Sequence, residues 1–267
     1  MKRIIRTLTL GYFVIFLLYS CGPRKVKNEG WVQLFNGKDL ADWTVKISGF
    51  PVGENYKNTF RVEDSLLKVR YDQYDSLDGH YGHIFFKTPY SHYRLRVEYR
   101  FVGEQCPGGP QWAIRNNGVM IHSQSPESME LNQDFPVSVE VQLLGGIGNE
   151  ERPTMNVCTP GTNIEMNGKL ITDHCTLSKS KTYYGDQWVT AEIEVHGDSV
   201  IRHIIDGKIV LEYNKPQLDE RDASYQKLLP PDGNKLLRNG YIALQAESFP
   251  TDFRKVELLN LGDDCPE

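Results

Sequence analysis

The chain has 267 residues, of which 39% are hydrophobic and 24% charged, and its formal net charge is -5. This is an ordinary globular balance with enough apolar material for one large core. There is no basic excess to attract a polyphosphate backbone, so nucleic acid is excluded as the expected partner.

In chain order, Lys2, Arg3 and Arg6 precede an apolar run from Leu8 to Leu18, too short to span a bilayer comfortably and patterned like a secretory signal. Leu18-Tyr19-Ser20-Cys21-Gly22 follows and resembles the lipobox of bacterial lipoproteins, in which cleavage precedes the cysteine and the thiol is acylated. Residues 1–20 are therefore expected to be a signal peptide, Cys21 the lipidation site, 21–29 a polar tether, and 30–267 one domain. The expected location is the cell envelope of a Gram-negative bacterium, on the periplasmic side or the outer membrane. Only the lipid anchor would touch the membrane.

From Trp31 onward, short alternating runs bounded by turn residues predict strands over Thr59 to Glu63, Leu66 to Arg70, Tyr93 to Phe101 and Gly118 to Gln124. Further strands are predicted over Val137 to Leu144, Trp188 to His196, Val200 to Val210 and Tyr241 to Gln245. Between Tyr93 and Phe101 the odd positions are apolar and the even ones charged, the pattern of an antiparallel strand with one packed face. Asp206-Gly207, between Ile204-Ile205 and Ile209-Val210, predicts a two-residue hairpin. Helical periodicity is weak, strongest from Asp219 to Leu229 before Pro230-Pro231. The fold class is all-β, with two stacked antiparallel sheets favoured over a closed barrel.

Cys106, Cys158, Cys175 and Cys265 remain once Cys21 is set aside, an even number suited to disulfides in an exported protein. Cys158 is expected to pair with Cys175, because the Asn167-Gly168 turn between them folds the segment back; Cys106 and Cys265 would pair or stay free. Zinc is the rival, but no Cys-x-x-Cys pair supports it.

The opening Gly30-Trp31-Val32-Gln33-Leu34-Phe35-Asn36-Gly37-Lys38-Asp39-Leu40-Ala41-Asp42-Trp43 resembles the start of the 3-keto-disaccharide hydrolase family. Glu140-Val141-Gln142-Leu143-Leu144, Asp206-Gly207, Gly240-Tyr241-Ile242-Ala243-Leu244-Gln245 and Phe253-Arg254-Lys255-Val256-Glu257-Leu258 extend the match over most of the chain. The resemblance implies a concanavalin A-like jelly-roll β-sandwich that binds an oligosaccharide or glycoside on its concave sheet. The stretch from Arg152 to Trp188 looks like an insertion, and stapled by a disulfide it could wall one end of a sugar cleft.

On the strand from Val137 to Leu144, Glu140 and Gln142 share a face opposite Val139, Val141 and Leu143. Gln142 stands where related glycosidases carry a second carboxylate, which argues against a retaining mechanism run from this strand alone. Gln111 to Gln124 resembles the family's substrate strand pair, and His122 would join Glu140 if it projected with Met120 and Gln124. A sugar oxidised at C3 has an acidic C2 proton, so cleavage could run by elimination followed by hydration. In that scheme Glu140 and His122 are base and acid, and Arg115 stabilises the enolate. Gln142, Asn117, Trp112 and Gln124 bind substrate. No cofactor is required by the sequence, although a divalent cation could replace Arg115, and no ligand spacing identifies a metal site. The alternatives are a non-catalytic carbohydrate-binding lipoprotein and an ordinary glycosidase acting on unoxidised glucans.

Overall fold

The computed structural model describes residues 30–262. The signal peptide, Cys21 and Cys265 lie outside the described residues. Seventeen strands form: β1 (Val32–Gln33), β2 (Trp43–Ile47), β3 (Phe60–Glu63), β4 (Leu66–Val69), β5 (Gly82–Phe86), β6 (His92–Phe101), β7 (Asn116–Ser123), β8 (Val139–Leu144), β9 (Asn156–Cys158), β10 (Thr162–Met166), β11 (Lys169–Ile171), β12 (Cys175–Thr176), β13 (Val189–His196), β14 (Val200–Ile205), β15 (Lys208–Leu218), β16 (Tyr241–Ala246) and β17 (Thr251–Asn260). The strongest helical candidate, Asp219 to Leu229, forms a single turn, Tyr225–Leu228. Asp219 spends its carboxylate on the Arg221 backbone and guanidinium, so a local turn takes the place of the first helical turn.

A ten-stranded sheet runs β11-β10-β15-β14-β13-β6-β17-β4-β3, with β1 also on β17, and faces a seven-stranded sheet ordered β12-β9-β8-β7-β16-β5-β2. Every named pair is antiparallel, as strand alternation requires when each sheet has one inner face. On β6, Tyr93, Leu95, Val97, Tyr99 and Phe101 are buried, each contributing roughly 1.5–3 kcal/mol of burial. Their neighbours face outward: Arg96 reaches Glu192 and Glu257, and Arg100 reaches Asp252. The Asp206-Gly207 hairpin forms, both residues having positive φ, 50° and 70°, as that turn type demands.

Inward-facing residues of the seven-stranded sheet, including Val119, Val139, Val141, Leu143, Ile84 and Leu244, join one core with those of β6 and β13. The alternate residues of β8, β7, β16 and β5 therefore lie on the outer face. A disulfide links Cys158 and Cys175, which oppose each other on β9 and β12. Cys106 is buried and has no disulfide partner among the described residues.

Candidate active site

The outer face of the seven-stranded sheet carries a cavity of about 400 Å³, large enough for a small ligand. Glu140 and Gln142 on β8, Asn116 on β7 and Glu247 just past β16 line its base. Trp112 and Phe135 stand on one side, and Cys158, Pro160, His174 and Cys175 on the other. The disulfide-stapled insertion thus forms a wall of the cavity.

Glu140 is positioned by register and by a missing side chain. It opposes Met120, while Gly118 opposes Gln142. A Cβ on Gly118 would lie 2.6 Å from Glu140 Oε1 and 2.7 Å from its Cγ, so the carboxyl side chain lies across the β7 backbone through a gap that only glycine leaves. Glu140 is 5% exposed and Glu247 3%. Oε1 of Glu140 and Oε2 of Glu247 have no hydrogen-bond partner among the described residues. Burial pushes Glu140 well above the ordinary carboxylate range; Glu247 is raised by burial and then by the charge of Glu140. Two interacting buried carboxyls resist ionising together, so the pair gives up its second proton less readily than its first.

The rest of the base is polar and held in place. Asn156 Nδ2 donates to Gln142 Oε1 at 2.9 Å, while Oδ1 of buried Asn116 has no partner among the described residues. Trp112, half exposed, stacks on Tyr81 with ring centroids 6.0 Å apart and leaves an aromatic surface at the rim, suited to the C–H face of a ring.

The structure brings Glu140, Gln142 and Trp112 together, but it places the other expected residues elsewhere. His122 has φ 48°, in a bulge where the β7–β16 register shifts. The bulge turns its ring away from Glu140, and Nε2 meets Gly197 O at 3.0 Å. Burial pushes the His122 imidazole down to about 4, so it is neutral. Gln124 is held by the neighbouring loop: its Oε1 accepts from Val137 N and its Nε2 donates to Ser128. Asn117 points inward and donates to Gln245 O at 2.8 Å. Arg115, also at positive φ, donates to Gly185 O with its guanidinium over Phe101 and Phe249. It lines a separate crevice with Tyr183 and Gln187.

Glu247 is the carboxylate that sequence reading missed. The signal is its spacing: Ala243, Gln245 and Glu247 continue one face past the end of β16. As for metals, the one group of three candidate ligand residues among those described is Cys158, His174 and Cys175; the disulfide occupies both sulfurs, which leaves His174 alone.

Two stacked antiparallel sheets with a cavity on the outer face, floored by buried carboxyls and rimmed by an indole, fit a carbohydrate-active all-β domain. The chain belongs to the 3-keto-alpha-glucoside-1,2-lyase-like domain family, whose model matches residues 30–259. Among solved structures it is similar to a presumed glycosyl hydrolase from Parabacteroides distasonis ATCC 8503, with 17% identity and a TM-score of 0.50 over 88% of this chain and 96% of that one. A β-glucanase from Bacillus licheniformis matches at 9% identity and a TM-score of 0.46, covering 86% of this chain and 97% of that one. The carbohydrate-binding module CBM66 from Bacillus subtilis matches at 10% and 0.42, covering 86% and 96%. No curated protein matches the chain.

Proposed function

We propose that this protein cleaves the glycosidic bond of 3-keto-glycosides or 3-keto-disaccharides by C2 proton abstraction, elimination and hydration. The observation that carries the reading is the coupled pair of buried carboxyls, Glu140 and Glu247, at the base of one cavity. We assign Glu140, whose side chain lies across the β7 backbone at the cavity base, as the base and Glu247 as the acid. The ionised Glu140 takes the C2 proton, which the adjacent ketone acidifies, and the electron pair moves into an enolate. The enolate collapses as the C1–O bond breaks, and Glu247 gives its proton to the departing oxygen. Water then adds across the new double bond, completing net hydrolysis. Gln142 and Asn116 hold hydroxyls and Trp112 stacks on the sugar, while His122, Arg115, Asn117 and Gln124 have no part in this scheme.

One observation favours a second reading. Glu247 supplies the second carboxylate that β8 lacks, as an ordinary glycosidase on unoxidised glucans would need. Incubating the protein with a 3-keto-disaccharide and with its unoxidised parent, and following sugar release by mass spectrometry, separates the two. Release from the keto sugar alone supports elimination, and release from the parent alone supports the ordinary glycosidase. Release from neither, with binding retained, leaves a carbohydrate-binding protein.

We further propose that acylation of Cys21 tethers the protein to the cell envelope, on the basis of the basic start, apolar run and Leu18-Tyr19-Ser20-Cys21. No described helix is long and apolar enough to cross a membrane. Replacing Cys21 with Ser should abolish metabolic labelling by palmitate; retained labelling would refute the anchor.

A further inference from the structure

Beside the carboxylate pair, the same sheet face carries a second pair of buried polar side chains. His83 on β5 and Gln245 on β16 oppose each other directly across their strands, and both are fully buried. Neither ring nitrogen of His83 and neither side-chain amide atom of Gln245 has a hydrogen-bond partner among the described residues. Four orphan polar atoms on two adjacent side chains weaken the fold, and an apolar pair of the same shape would avoid that loss. Folding alone gives no reason to keep them.

Their surroundings connect them to the cavity. The Phe135 ring, which lines the cavity with Glu140 and Glu247, stands edge-on to His83 at 5.9 Å between centroids. Gln245 is two residues from Glu247 on the same strand face. The segment carrying Phe135 is fastened to the sheet edge, where Lys46 Nζ donates to Leu131 O at 2.8 Å and Ser48 Oγ donates to Asp134 at 2.8 Å. Lys46 opposes His83 in register, but its ammonium is also bonded to Ile47 O and faces the charge of Asp134, so it is not a free cation awaiting an anion. Burial, with the Lys46 charge, pushes His83 down to about 3, so its ring is neutral.

We propose that His83 and Gln245 form the floor of a second subsite, which binds a neutral sugar unit through vicinal hydroxyls when Phe135 swings aside. A neutral imidazole offers one N–H and one lone pair, and a primary amide offers two N–H groups and a carbonyl. Each can donate and accept at once, as a vicinal diol does, and neither carries charge to reward a carboxylate or sulfate. Phe135 supplies the apolar cover for the ring's C–H face. The inference rests on the reading of this cavity as a sugar site.

The test measures calorimetric binding of cellobiose, maltose, lactose and cellobiouronic acid to the full chain, for the wild type and for His83→Phe and Gln245→Met. Thermal midpoints without sugar and turnover of a 3-keto-disaccharide are recorded alongside. The expected result is that each variant loses tenfold or more in affinity for the neutral disaccharide that binds best. Each should also unfold about 2–4 °C higher than the wild type, because a buried orphan polar group has been removed. Unchanged affinity in both variants overturns the subsite, as does lost affinity with a lowered midpoint, which marks a merely structural role. Equal or tighter binding of cellobiouronic acid overturns the neutral selectivity. Failure of the wild type to bind any neutral disaccharide also overturns the subsite; retained 3-keto turnover then leaves the proposed function standing, and absent turnover removes both.

Discussion

Gly118→Ala should disable the site by displacing one side chain. The new Cβ would lie 2.6 Å from Glu140 Oε1, 2.7 Å from Cγ and 2.9 Å from Cδ, against an ordinary carbon contact of about 3.5–4 Å. Glu140 must therefore move by roughly 1 Å, and a displacement of that size can cost about a hundredfold in rate. Overpacking costs about 1–3 kcal/mol, and alanine in place of a strand-interior glycine returns about 0.5–1 kcal/mol. The expected net loss is about 0–2.5 kcal/mol, a fall of up to roughly 10 °C in thermal midpoint at about 2–4 °C per kcal/mol. The assay is a double-mutant cycle with Glu140→Ala, read by thermal denaturation and by turnover of a 3-keto-disaccharide. With Glu140 truncated the clash is gone, so Gly118→Ala should become stabilising by about 0.5–1 kcal/mol. Equal effects in both backgrounds, or full turnover by the Gly118→Ala single variant, would refute the placement of Glu140 over the β7 backbone.

Replacing Cys158 and Cys175 with serine opens a link of sequence separation 17, worth about 3 kcal/mol in the chain-entropy account. A midpoint lower by about 6–12 °C and weaker sugar binding are expected, and unchanged calorimetry would contradict the role of that wall. Glu140 and Glu247 are raised by folding, so the stability they contribute is full below the unfolded carboxylate value of about 4.3 and is lost as pH rises through their folded values. Glu140→Gln with Glu247→Gln should therefore flatten the fall in midpoint above that pH; an unchanged profile would show that neither carboxyl is buried as described. His122→Ala should lower the midpoint, since the ring bridges to Gly197, with turnover per folded molecule retained. A hundredfold loss of turnover would return His122 to the chemistry.

How much was legible varied with the local physics. On β6 the two faces meet different environments, core and ion pairs, so the alternation showed in the sequence. On β5 every residue from Gly82 to Phe86 is buried, because Phe135 and Met129 cover the outer face, so no alternation marked that strand. β9 to β12 are two to five residues each, too short for a period to emerge. At the site, parity along β8 gave Glu140 and Gln142 correctly as neighbours on one face. The same reasoning placed His122 with Glu140 because it assumed an unbroken β7, and a bulge with φ 48° at His122 itself reverses the expected face. Asn117 is odd in a strand whose outward positions are Asn116, Gly118 and Met120, so it faces the core. Glu247 escaped notice because it lies past the end of β16 and meets Glu140 only through the sheet order β8-β7-β16, which no local pattern encodes.

The most direct test of the central claim is the exchange of the C2 proton. A 3-keto-disaccharide carrying deuterium at C2 would be followed by NMR and mass spectrometry with the wild type, Glu140→Gln and Glu247→Gln. The account predicts loss of the C2 label and a primary isotope effect with the wild type, and retention of the label with Glu140→Gln. With Glu247→Gln, label loss should continue while release of the leaving sugar slows. Release of the leaving sugar by the wild type with the C2 deuterium fully retained would contradict the elimination and return the pair to ordinary glycoside hydrolysis.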